Sequence, residues 1–169
     1  TTSTFTFTLE DNLEKITVPE AEDIMGIPVT TPVCLPDGYE IKDAYIKEPR
    51  YFCGNEVLLL ISDEIIEHQG FDTTTKMVIR VTYGCGPGLK GPAEVGEPVT
   101  IREEPRLRGV FVSDEDWTKG NYNELWNQFV PSVWGPNISD PCECLEIVIM
   151  AIRDITKEDL VKIAASTLY

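Results

Sequence analysis

The sequence predicts an α+β fold: a mainly antiparallel sheet with a C-terminal helix and one or two short helices packed on one face. Three observations carry that expectation. Segments with strand character outnumber helical ones and do not alternate with them, which argues against a parallel α/β sheet. Residues 145–152 are apolar on both parities and rich in Ile and Val, the pattern of a central strand covered on both sides. Thr156 and Asp159 supply a cap and an acidic first turn for a last helix, with Leu160, Ile163, Ala164, Thr167 and Leu168 as its buried stripe.

The elements follow in order. Thr4 to Leu9 alternates with period two, turning Phe5, Phe7 and Leu9 toward a core and the threonines toward water. Thr17 and Glu20 stand at capping-box spacing ahead of Ala21, Ile24 and Met25, and Gly26 supplies a stop, so a short helix is expected there. Its Pro19 is tolerated because it lies in the first turn. Residues 27–32 are extended, since each proline biases its predecessor away from helix. Leu35-Pro36-Asp37-Gly38-Tyr39 forms a tight turn that launches a strand over about 40–47. Val57 to Ile61 is a continuous apolar run of strand length. Met77, Ile79, Val81 and Tyr83 alternate with Val78, Arg80 and Thr82, giving a strand with one wetter face. Residues 84–105, rich in Gly, Pro and Glu, form a long loop or extended excursion, and 107–112 a strand. Tyr122, Leu125, Trp126 and Phe129 fall at i, i+3, i+4 and i+7, a spacing that predicts a short amphipathic helix.

At 169 residues the chain is expected to be a single domain, 1–169, with a variable, loop-rich insertion at about 84–141. Lys and Arg total 14 against 29 Asp and Glu, a formal charge of −15. Such a surface repels phosphate backbones and disfavours docking onto anionic lipid headgroups, so no nucleic-acid partner is expected. No apolar window is long enough to span a bilayer, and no basic start leads into an apolar stretch. The opening at Thr1 instead of Met suggests the excised part of a longer precursor.

Five cysteines occur at irregular spacing: Cys34, Cys53, Cys85, Cys142 and Cys144. One or two disulfides drawn from Cys53, Cys85, Cys142 and Cys144 are expected in an oxidising compartment, with at least one thiol left over. A zinc site is not expected, because the one-residue gap between Cys142 and Cys144 is shorter than a chelating turn requires. Gly84-Cys85-Gly86-Pro87-Gly88-Leu89-Lys90-Gly91 lacks the hydroxyl and helix start of a phosphate loop. His68 is the only histidine and reads as part of a polar strand end or turn. Glu103-Glu104 and Asp114-Glu115-Asp116 read as solvated charge. No nucleophile, base and orienting group can be named together, so neither an enzyme nor a cofactor or metal is expected. Trp117, Tyr122, Trp126, Phe129 and Trp134 concentrate aromatic residues in one segment, the composition of a ligand groove or protein interface, or equally of a lid that closes the core. Asn137-Ile138-Ser139 matches a glycosylation acceptor triplet.

Three stretches resemble an uncharacterised extracytoplasmic domain family of bacteria and archaea. They are Ile27-Pro28-Val29 through Leu35-Pro36-Asp37-Gly38-Tyr39, the strand ending Leu59-Leu60-Ile61-Ser62-Asp63, and the closing Ile155 to Ser166. The first is similar to that family's apolar-Pro…Leu-Pro-Glu-Gly-Tyr entry. The last is similar to its Glu-Glu-Leu…Ile-Ala-Glu-Ser-Leu helix. The resemblance implies kinship with lipoprotein-carrier-like and sigma-regulator periplasmic domains. It also implies a curved sheet with helices on the concave side, and a tether to a membrane through a segment outside this chain. The expected function is a non-catalytic cell-surface or periplasmic binding or sensing domain for a protein partner or apolar ligand. A purely structural spacer is the alternative, and a hydrolase a more distant one.

Overall fold

The structure, a computed structural model, describes residues 4–26, 28–47, 55–83, 92–104, 107–115, 118, 121–129 and 145–167, with Pro92, Ala93 and Phe129 described through their backbone alone. Along the chain run β1 (Phe5–Thr8), β2 (Leu13–Ile16), α1 (Val18–Met25), β3 (Glu40–Lys47), β4 (Asn55–Ser62), β5 (Glu67–Gln69) and β6 (Asp72–Thr75). They are followed by β7 (Met77–Tyr83), α2 (Pro92–Val95), β8 (Glu97–Val99), β9 (Leu107–Val112), β10 (Asn123–Phe129), β11 (Leu145–Ala151) and α3 (Lys157–Thr167). The fold is α+β, and every ladder among the described residues is antiparallel.

Eight strands form a main sheet in the order β2-β3-β4-β7-β11-β10-β9-β8, and three form a small sheet in the order β1-β6-β5. The expected central strand is β11, held between β7 and β10. One row of its partners runs Leu59, Ile79, Ile149 and Leu125, all without exposed surface. That row looks toward the helices. Tyr83, on the same face, accepts the Thr30 N–H at 3.0 Å through its hydroxyl, and Ser166 of α3 accepts the Cys34 N–H at 3.1 Å, so segment 28–34 and α3 share one side of the sheet. Leu160, Ile163, Ala164 and Thr167 of α3 are buried, as their spacing predicts, and α1 adds Ala21 and Met25 to the core.

Local signals account for both long helices. Thr17 Oγ1 accepts the Glu20 N–H at 3.2 Å and donates to Glu20 Oε1 at 2.9 Å, satisfying one of the orphan donors of the first turn. Gly26 ends α1 at φ +70°, a left-handed cap that a side chain would strain. Thr156 Oγ1 accepts the Asp159 N–H at 3.2 Å and opens α3.

Four expectations need correction. Tyr122 to Phe129 is not a helix: Asn123–Phe129 is strand β10, seated between β9 and β11. The stretch 84–105 is not loop throughout, since it yields α2 and the edge strand β8. The β-rich start does not join a single sheet, because β1 pairs with β6 in the small sheet and only β2 joins the large one. Asp114 is not solvated; it is 6% exposed and receives Arg153 Nε at 2.6 Å, which pins the base of the β9–β10 connection.

Candidate functional site

The face of the main sheet opposite α3 and segment 28–34 divides into two halves. One half is apolar and lies under the small sheet: Leu60, Val78 and Met150 are buried there. Two contacts close the small sheet onto it. Phe5 packs against Tyr122, with ring centroids 4.9 Å apart and planes at 40°. His68 bridges from Thr73 Oγ1 (3.1 Å, Nδ1) to Asp43 Oδ2 (3.2 Å, Nε2), and Lys15 meets the other Asp43 oxygen at 3.1 Å.

The second half carries polar groups on β10 and on the mainly apolar strands β4, β7 and β11. Across β4, β7, β11 and β10 the register sets Glu56, Thr82, Glu146 and Gln128 in one row, with Leu58, Arg80, Val148 and Trp126 in the next. Arg80 Nε lies 3.3 Å from Glu56 Oε1, an ion pair whose alignment does not make a hydrogen bond. Trp126 is half-buried and donates its indole N–H to Glu124 Oε1 at 3.2 Å. Burial pushes the Glu124 carboxyl up, against the pull of the Trp126 indole and Arg80. Burial also raises Glu146, with Arg80 opposing and Glu56 reinforcing the rise. Tyr122 is raised by burial and by Glu124, with Arg80 opposing. One guanidinium thus serves three carboxylates, two of them held in partly dry surroundings where charge is costly.

Of the residues singled out by the sequence, Tyr122 and Trp126 are brought to this face. Tyr122 is placed by Thr118, whose hydroxyl accepts the Tyr122 N–H at 3.0 Å and donates to its carbonyl at 2.6 Å. Phe129 is placed on β10 by its backbone. Trp117 and Trp134 lie outside the described residues, as do Cys53, Cys85, Cys142 and Cys144 and the triplet at 137–139. Cys34 is a free, exposed thiol. The residues that sequence reasoning passed over are Glu56, Arg80, Glu124, Glu146 and Gln128. For Glu56, Arg80 and Glu146 the signal was present, a charged side chain inside an apolar strand run, where burial demands a partner; Glu124 and Gln128 lie in a segment whose polar residues hid the strand.

Chemically, the one nucleophile-like array among the described residues is Thr73–His68–Asp43. Its hydroxyl belongs to a residue with no exposed surface, so a substrate carbonyl has no approach to Oγ1. Among the described residues no group of three or more His, Cys, Asp and Glu could hold a metal ion. The polar half-face offers charge, hydrogen-bonding groups and an aromatic edge. Comparison with protein-family models, with curated proteins and with solved structures finds no match to this chain.

Proposed function

We propose that this chain is a non-catalytic binding domain that takes a protein partner on the polar half-face around Trp126. The carrying observation is Trp126 itself, half-buried, bonded to Glu124 and set in the row that carries Arg80, beside the row of Glu56, Glu146 and Gln128. An aromatic ring among desolvated charges is the composition of a protein interface hot spot. An apolar ligand fits less well, because covering these carboxylates and the guanidinium with hydrocarbon would leave them without water and without partners. The extracytoplasmic setting and the membrane tether belong to the same reading. They rest on the likeness at the two ends of the chain, and protease accessibility of the chain in intact cells tests them.

The binding reading is tested by purifying the partner captured on the wild-type chain and titrating it against Trp126→Ala and Glu146→Lys by calorimetry. Each substitution should weaken binding by about tenfold or more, while Glu146→Lys, which sets a second cation beside Arg80, also lowers the melting temperature and is titrated well below it. Full affinity in both variants would remove this face from the interface.

A further inference from the structure

Among the described residues, five strand edges lack a neighbour on one side, and four of them are blunted. The outer edge of β2 carries Glu14 and Lys15, and that of β5 carries Glu67 and His68. β8 presents Glu97 and Pro98. The part of β3 that β2 does not reach holds a register shift between Ile41 and Asp43, with Lys42 at the bulge. Charges, proline and bulges are the devices that keep sheet edges from pairing with another chain. β1, though short at four residues, carries no charge, proline or bulge. Its four residues are Phe5-Thr6-Phe7-Thr8, uncharged and strongly strand-forming, and β6 is its only partner among the described residues.

The register shows which backbone groups are open. Leu9 donates its N–H to Phe71 O at 2.8 Å, which makes Leu9 and Phe71 a hydrogen-bonded pair in line with the β1–β6 ladder. Odd residues of β1 therefore turn their backbone groups toward β6, and Thr6 and Thr8 turn theirs outward. The outward side chains of Thr6 and Thr8 are exposed, while Phe5 is buried against Tyr122. The far end of the edge is acidic: Asp72 accepts from Thr8 Oγ1 at 2.8 Å, and Glu10 and Asp11 follow, Glu10 pairing with Lys47 Nζ at 3.2 Å so that, among the described residues, two of the three acids are left without an ion pair.

We infer that β1 is a strand-addition site, at which an extended segment of a partner protein, alternating in apolar and polar residues and ending in a basic residue, extends the small sheet. The open Thr6 and Thr8 amides and carbonyls supply the ladder, and the acidic end selects the basic terminus. A second copy of this chain is disfavoured, since each carries a formal charge of −15. This site is separate from the Trp126 face and stands or falls without it.

The probe is a synthetic peptide of alternating Val and Thr with a Lys at each end, titrated by NMR or fluorescence anisotropy at low salt. It should bind the wild-type chain, and Thr6→Pro should weaken it about tenfold. That substitution removes one outward donor and leaves the β1–β6 ladder its bonds. The same peptide with alternate amides N-methylated should lose binding by a similar factor, and this comparison decides the matter if Thr6→Pro does not fold. Glutamate in place of the terminal lysines should weaken binding about fivefold. The proposal is overturned if the methylated peptide binds as well as its parent, or if none of the peptides binds. It is overturned equally if sedimentation shows a dimer that Thr6→Pro abolishes, because a second copy then occupies the edge.

Discussion

Replacing Leu125 and Trp126 one at a time by alanine separates the two sides of β10. Leu125 has no exposed surface and pairs with Ile149 on β11 and Phe111 on β9, beneath the helices. Leu125→Ala removes about three buried carbon groups at about 0.8 kcal/mol each, roughly 2.4 kcal/mol of transfer free energy. A site walled by a strand on each side collapses poorly, so the cavity left behind raises the total to about 3–4 kcal/mol. For a domain of this length the melting temperature should fall by about 6–16 °C. Trp126 is half-buried on the other side, and Trp126→Ala should cost about 1–2 kcal/mol, below the roughly 3–5 kcal/mol of a fully buried aromatic. Urea unfolding followed by far-ultraviolet circular dichroism measures both. Had residues 122–129 formed a helix, Leu125 and Trp126 would have shared its buried stripe and cost similar amounts. Equal losses, or a Leu125→Ala loss below about 1 kcal/mol, would refute the strand and its facing.

Two further outcomes follow from the same packing. Because burial raises the Glu124 carboxyl above its unfolded value, the folded state favours its protonated form. The stability tied to that preference is complete below the unfolded carboxylate range, about 4.3, and is lost as pH rises through the raised folded value. Glu124→Gln keeps an acceptor for the Trp126 indole and has no charge to desolvate. Its urea midpoint relative to wild type should rise between pH 4 and pH 8, and a difference independent of pH would contradict desolvation of Glu124 as the cause. Gly109→Ala places a Cβ 2.8 Å from Ile101 Cγ1 and 2.9 Å from the Val99 carbonyl oxygen, where the β8–β9 ladder leaves little room to move. It should cost about 1–3 kcal/mol, and an unchanged midpoint in urea would show that the edge strand yields freely.

Where a signal is local, the sequence was enough. Thr17, Glu20 and Gly26 bound α1, and Pro36-Asp37-Gly38 launches β3 at Glu40, because caps and turns are settled by side chains within a few residues. The run Val57 to Ile61 announced a strand covered on both faces, and all five side chains are at most 1% exposed. What stayed hidden depends on distant partners. Thr8 meets Asp72 across 64 residues, so nothing near β1 says that it belongs to a second sheet. Asp114 is buried through Arg153, 39 residues on, and no local pattern distinguishes it from the exposed Glu115 beside it.

The case of β10 shows why the candidate site was legible only in part. Tyr122 and Trp126 share one strand parity and Leu125 the other, yet all three, with Phe129, also satisfy a helical stripe, so apolar spacing alone allows both periods. The residues between them should decide. In a helix Asn123, Glu124, Asn127 and Gln128 would form the wet face. In the fold they are 7%, 6%, 1% and 2% exposed. A strand with polar residues buried on both faces violates the rule by which strands are recognised, and it persists because neighbours supply partners, as Ile147 O does for Asn127 Nδ2 at 3.0 Å. The polar groups that concealed β10 as a strand are thus, in Glu124 and Gln128, members of the face proposed for recognition. Strand patterning fails at places where something other than packing shapes the residues, and the recognition proposed around Trp126 would account for such a place on β10.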